Sequence, residues 1–153
     1  MIFLILKLDI YITDGSARVL SLKLISYNLH GLNQGFRQYQ ISYCICNPDV
    51  FILQEYWLTP NNLSKIKCIF PDYFHYGSSA MSSAVASGFL GGRSFGGVFF
   101  LINKNLLKCT SYVVSAKRCA ALRINDCLLI NGYLPCSGTP ITSLIISYIL
   151  FEV

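Results

Sequence analysis

Two short stretches of this chain end in side chains that can hold a phosphate or a hard cation. One is SYNLHG, Ser26 to Gly31, where Asn28 closes a mostly apolar run with a carboxamide. The other is DVFILQEYWL, Asp49 to Leu58, where Val50 to Leu53 run straight into Gln54 and Glu55. A carboxylate at the end of a buried strand is costly to desolvate unless a cation or hydrogen-bond donors meet it. Glu55 therefore needs a partner, and the nature of that partner is the first clue to function.

The elements around these residues predict where they sit. Leu22 to Asn28 (LKLISYN) reads as a strand. Gly31 to Gly35 breaks it, and Phe36, Tyr39 and Tyr43, spaced by three and four, predict a helix within Phe36 to Cys46. Asn47-Pro48 stops that helix, because a proline disfavours the helical conformation in the residue before it. Asp49 to Glu55 is the next strand. Strand, helix, strand is a crossover, which places its two strands parallel in one sheet. The C-terminal ends of parallel strands open on the same edge, where open α/β sheets bind ligands. Asn28 and Glu55 are thus expected together at one rim, as a cation or phosphate site.

Composition narrows the class. The chain has 153 residues, 54% apolar and only 12% charged, which excludes disorder and predicts one domain with a sizeable core. The mean hydropathy of +0.52 is high, yet no run of about 18 apolar residues exists to span a bilayer, and no membrane partner is expected. The N-terminal MIFLILKLDIYI lacks a basic n-region and a small-residue cleavage site, so it does not read as a signal peptide. Seven cysteines without regular spacing point to reduced thiols in an intracellular protein, with the nucleus as a possible compartment but no clear signal. Cys44 and Cys46 form CxC and not CxxC, which argues against structural zinc. The net charge of +5 favours a polyanionic partner, although the cations are scattered: Lys65/Lys67, Lys104/Lys108 and Lys117/Arg118/Arg123.

Further along, Ser78 to Gly97 is rich in serine and glycine and reads as a flexible connection, not a nucleotide-binding loop. Gly97 to Asn103, Cys109 to Ser115, Arg118 to Ile124 and Cys127 to Leu134 then read as successive strands of an antiparallel meander, with Asn125-Asp126 as the turn between the last two.

Four segments carry a family resemblance in order and rough spacing: SYNLHG, DVFILQEYWL, GGVFFLINKNL at Gly96 to Leu106, and LLINGYLP at Leu128 to Pro135. From about Leu22 onward the chain resembles the endonuclease/exonuclease/phosphatase superfamily, in the style of the apurinic-type endonuclease domains of LINE-type retrotransposons. The resemblance implies an α/β (α+β) fold, the N-terminal half of a two-sheet sandwich, over residues 21–153, with residues 1–20 as a leader outside the family. It implies that Glu55 binds Mg2+, or Mn2+ in its place, that Asn28 helps orient metal and phosphate, and that the Tyr133 hydroxyl donates to the scissile phosphate. Gln54 beside Glu55 is usual in the subfamily. His30 matches no catalytic position and reads as a solvent or substrate-loop histidine.

The departures matter as much. The family's aspartate-x-asparagine and late aspartate-histidine pairs cannot be placed, and Ile141 to Glu152 reads as the start of the helix preceding the first of them. An absent general base alone removes about 10² to 10⁴ in rate. The expectation is a Mg2+-dependent phosphodiester hydrolase domain of endonuclease type, derived from a retrotransposon and present as a catalytically incomplete fragment. The alternatives are a non-catalytic nucleic-acid-binding or scaffolding remnant, DNA being the expected partner, and a translated remnant without function. Inner faces meant for the rest of a second sheet would be exposed, favouring self-association. The substrate stays open between abasic DNA, intact DNA, RNA and a small phosphate ester.

Overall fold

The computed structural model describes residues 3–12, 18–33, 47–81, 85, 88, 95–134 and 144–151. The helix expected within Phe36 to Cys46 lies outside the described residues, as does most of the serine- and glycine-rich connection.

Among the described residues, nine strands form two sheets. The first holds β1 (Phe3–Ile12), β2 (Arg18–Asn28), β3 (Val50–Gln54), β4 (Tyr73–Ser78) and β5 (Val98–Asn103) in the order β1-β2-β3-β5-β4. The second holds β6 (Thr110–Ala116), β7 (Cys119–Ile124), β8 (Cys127–Leu134) and β9 (Leu144–Phe151) in sequence order. The expected parallel pair is present: β2 and β3 run parallel from Leu24↔Val50 to Asn28↔Gln54. The other pairs are antiparallel. A short helix, α1 (Ser64–Ile69), lies between β3 and β4.

Three expectations are corrected. The strand at Gly97 to Asn103 does not begin the meander; as β5 it inserts between β3 and β4 in the first sheet. All its residues but Asn103 are buried, because a strand covered on both faces reads as a continuous apolar run that carries no mark of which sheet it joins. The segment expected to begin a helix at Ile141 to Glu152 instead gives β9, paired with β8 from Cys127↔Phe151 to Leu134↔Leu144. Its β-branched and aromatic residues lose less on a pleated surface than in a helix. The strand at Asp49 to Glu55 ends at Gln54, since Glu55 takes a left-handed conformation at φ +53°. Within residues 1–20, read from the resemblance as a leader outside the family, Phe3–Ile12 form β1, whose Leu6 and Leu8 pack on the core while Ile5, Lys7 and Asp9 face out.

The core sits between the sheets. Alternate residues of the first sheet, Leu22, Leu24, Val50, Ile52, Phe100 and Ile102, meet Leu122, Ile124, Cys127 and Leu129 of the second. The inner-facing residues of β2, β3, β5 and β7, and of β8 as far as Leu129, therefore cover each other, while β6 is exposed from Ser111 to Ala116. The other face of the first sheet, Ile25, Tyr27, Phe51, Leu53, Phe99 and Leu101, packs on Ile66 of α1 and on Phe70 and Tyr73. Each such side chain contributes roughly 1.5–3 kcal/mol of burial. Among the described residues no helix is long and apolar enough to cross a membrane.

Candidate functional site

Following the inner face along each strand, the chemistry changes at one level. β2 runs Leu22, Leu24, then Ser26 and Asn28; β3 runs Val50, Ile52, then Gln54; β8 runs Cys127, Leu129, then Asn131 and Tyr133. Register puts these switches side by side, with Asn28 opposite Gln54 and Gln54 opposite Val98. Ser26, Asn28, Gln54 and Asn131 are all buried. The space between the sheets is thus apolar at one end and polar at the other, and the polar end is the rim where β2 and β3 terminate.

Amides lock that end. Gln54 Nε2 donates to Asn131 Oδ1 at 2.9 Å and lies 3.3 Å from both Ser26 Oγ and the Ile52 carbonyl. Asn131 Nδ2 in turn lies 3.1 Å from the Leu53 and Phe99 carbonyls. One side chain of the second sheet thereby pins two strands of the first. Gln54 holds the sheets in register, which gives a physical role to a residue that the sequence could place but not explain. Asn131 was missed altogether; its signal is an amide at a core-facing position between Leu129 and Tyr133.

Beyond the strands the backbone stays zipped. Leu29 N donates to Gln54 O, Gly31 N to Glu55 O and Leu32 N to Tyr56 O, while Glu55 N donates to Gly97 O and Trp57 N to Gly96 O. This continuation requires left-handed residues: His30, Glu55 and Trp57 have φ of 47°, 53° and 56°. Each costs on the order of 1–2 kcal/mol, and such strain persists only where surroundings hold it in place. Two glycines are obligatory here. A Cβ on Gly31 would lie 2.6 Å from the Trp57 ring, and one on Gly97 would lie 2.4 Å from the Tyr56 ring. Gly96 and Gly97, expected to belong to a flexible connection, are built into the rim. Tyr56 itself is buried against Phe99, edge to face at 4.7 Å, and that burial raises its hydroxyl pKa.

This cradle aims the expected residues. Glu55 is 6% exposed, and its Oε2 lies 2.9 Å from Nδ1 of His30, whose side chain is half exposed. His30, read from sequence as a bystander, is therefore the described partner of the key carboxylate. Its ring meets Trp57 edge-on at 6.4 Å. Asn28 Oδ1 accepts the His30 backbone amide at 3.0 Å, which fixes the carboxamide and sets the turn that carries the imidazole. Tyr133 is half buried at the same end: its ring lies beside Gly96, where a Cβ would be 3.8 Å away, and its N–H donates to Arg118 O. That bond brings the Lys117-Arg118 turn to the rim, and Ser78 Oγ donates to the Ala116 carbonyl just before it.

The donor set can be weighed for a cation. Among the described residues no cluster of three His, Cys, Asp or Glu exists, so no closed cage of protein ligands is formed. Glu55 and Asn28 supply hard oxygens, which suit Mg2+, an ion that keeps several waters and takes one or two carboxylates.

No protein-family model matches the chain, and no curated protein matches it. Among solved structures it is similar to the 3′ phosphatase NExo from Neisseria bound to product DNA hairpin, with a TM-score of 0.51 and 18% identity. The fold is a partial α/β sandwich of two packed sheets, similar in structure to that protein's. The match covers 73% of this chain and 41% of that one.

Proposed function

We propose that the rim is the phosphate-binding end of a Mg2+-dependent phosphodiester hydrolase site of endonuclease type, of LINE retrotransposon descent, acting on nucleic acid and catalytically incomplete in this chain. The observation that carries the reading is Glu55: a buried carboxylate held in a strained left-handed turn, with Asn28 beside it at the ends of parallel strands. Glu55 would hold Mg2+ together with Asn28, and when bound the ion neutralises charge on a phosphodiester. Tyr133 offers its hydroxyl to a phosphate oxygen, and His30 holds Oε2 of Glu55 so that one carboxylate oxygen remains to face a ligand. The Lys117-Arg118 turn adds positive charge where a phosphate backbone would pass.

A second reading, phosphate binding without hydrolysis, is favoured by the Asn28 carboxamide already accepting from its own chain. One titration separates these readings from a purely structural rim. Trp57 is the chain's single tryptophan, so Mg2+ is expected to change its emission and Glu55→Gln to abolish that change. An emission insensitive to Mg2+ overturns the metal reading. Plasmid nicking in Mg2+ is expected to be undetectable; robust nicking that Glu55→Gln removes would overturn incompleteness and uphold the site.

A further inference from the structure

β4 and β6 are each an edge strand of their sheet, and they lie together on one flank. Their side chains meet as rings. Tyr112 of β6 lies 4.4 Å from Tyr76 with 32° between planes, and 5.7 Å from Phe74 with 31°; Phe74 in turn stacks on His75 at 5.9 Å and 22°. Phe74 is 37% exposed and Tyr112 44% exposed. Strand direction ties this ladder to the rim: Tyr73 lies opposite Asn103 at the far end, while Ser78 lies opposite Val98, which pairs with Gln54. The ladder therefore begins beside the rim and descends the flank.

Cations bracket it. Lys117 and Arg118 follow β6 at the rim end, and Lys108 precedes it. Lys67 is close enough to help burial hold the His75 pKa below its ordinary value. Near-parallel π faces between positive side chains match the chemistry of unpaired bases on a phosphate backbone. A second copy of the chain fits less well, because it would bring the same cations together, and the bulge between Tyr112 and Val114 breaks the edge that copies would share.

We propose that Phe74, Tyr76 and Tyr112 are a stacking surface for the bases of single-stranded nucleic acid, whose backbone passes the Lys117-Arg118 turn on its way to the rim. This rests on the rim reading for its class of ligand and not for its chemistry. The test is the affinity of a labelled oligothymidylate of about 16 nucleotides, the upper site size for such surfaces, measured against salt. Tyr112→Ala is expected to weaken binding on the order of tenfold, as loss of one stacked base does, while Tyr112→Phe retains it. Lys117→Ala is expected to lower the salt dependence. Unchanged affinity in Tyr112→Ala and Phe74→Ala, with weakening in Lys117→Ala, overturns the stacking surface and leaves the rim reading intact. Binding of duplex but not of oligothymidylate does the same, and binding of neither overturns both. A shift of the free protein toward monomer in Tyr112→Ala, seen by sedimentation without any effect on oligonucleotide affinity, overturns the proposal in favour of a second copy.

Discussion

Strand β3 is bracketed by two carboxylates, Asp49 before it and Glu55 after it, and they live in different worlds. Asp49 Oδ2 accepts the Lys23 backbone amide at 2.8 Å, and its own N–H and C=O bond to Lys23 and Asn103. Every contact there serves the chain: Asn103 caps the turn that follows it, and the Tyr73 hydroxyl donates to Pro48 O. Glu55 meets an imidazole in place of the backbone, and it does so more deeply buried and in a conformation that costs energy. Polarity at the ends of strands is ordinary. A buried carboxylate held by strain and left over from the backbone's needs is the feature on which the proposed site rests.

That difference can be broken or sharpened by substitution, starting with the rim's frame. Gly97→Ala adds a Cβ against the Tyr56 ring at a left-handed position, and is expected to cost about 3 kcal/mol or more by thermal unfolding. A loss under about 1 kcal/mol would mean that the rim is not strained. Asn131→Leu leaves Gln54 Nε2 and two buried carbonyls short of a partner, with an expected loss of about 2–3 kcal/mol in denaturant titration. The two carboxylates should then part company. Asp49→Ala is expected to lower stability by about 1 kcal/mol while sparing the Mg2+ response of Trp57. Glu55→Gln is expected to abolish that response with stability within about 1 kcal/mol. If both variants behaved alike, the contrast between the ends of β3 would be lost.

The smallest effect lies on the flank. Burial first, and Lys67 second, lower the His75 pKa from its ordinary 6.5. The unfolded chain therefore binds this proton more readily than the folded one, so stability falls as pH drops through 6.5. His75→Gln should flatten that part of the profile, measured as the unfolding midpoint between about pH 5 and pH 7.

Much of this arrangement is legible in the chain. The break of SYNLHG at glycine and the run into Gln54 and Glu55 are enough to set two parallel strands side by side and to bring Asn28 near Glu55, because crossover geometry leaves little choice. Asn125 and Asp126 likewise announce their turn, with Asn125 at φ +49°. What is not legible is what depends on distant residues. YFHYGS lacks the alternation of a half-buried strand, so β4 escapes notice, and SKIKCI is too short for a helical period to register. LIISYILF is apolar but for Ser147, and such a run is ambiguous between helix and strand until β8 presents an edge. Glycine at position 97 looks like slack in a serine- and glycine-rich stretch; only the Tyr56 ring across the rim makes it a requirement. His30 likewise looks like a bystander until the left-handed turns swing it onto Glu55.

The ten-residue ladder between β1 and β2 carries a consequence for assembly. It occupies the only edge of β2 not already taken by β3, with pairing from Phe3↔Tyr27 to Ile12↔Arg18. Any polypeptide supplied in trans to pair with β2 on that side would have to compete for those backbone groups, peeling β1 away residue by residue. A separate strand that takes its place beside β2 would therefore enter by exchange and not by addition, with its rate governed by how readily Phe3–Ile12 lets go.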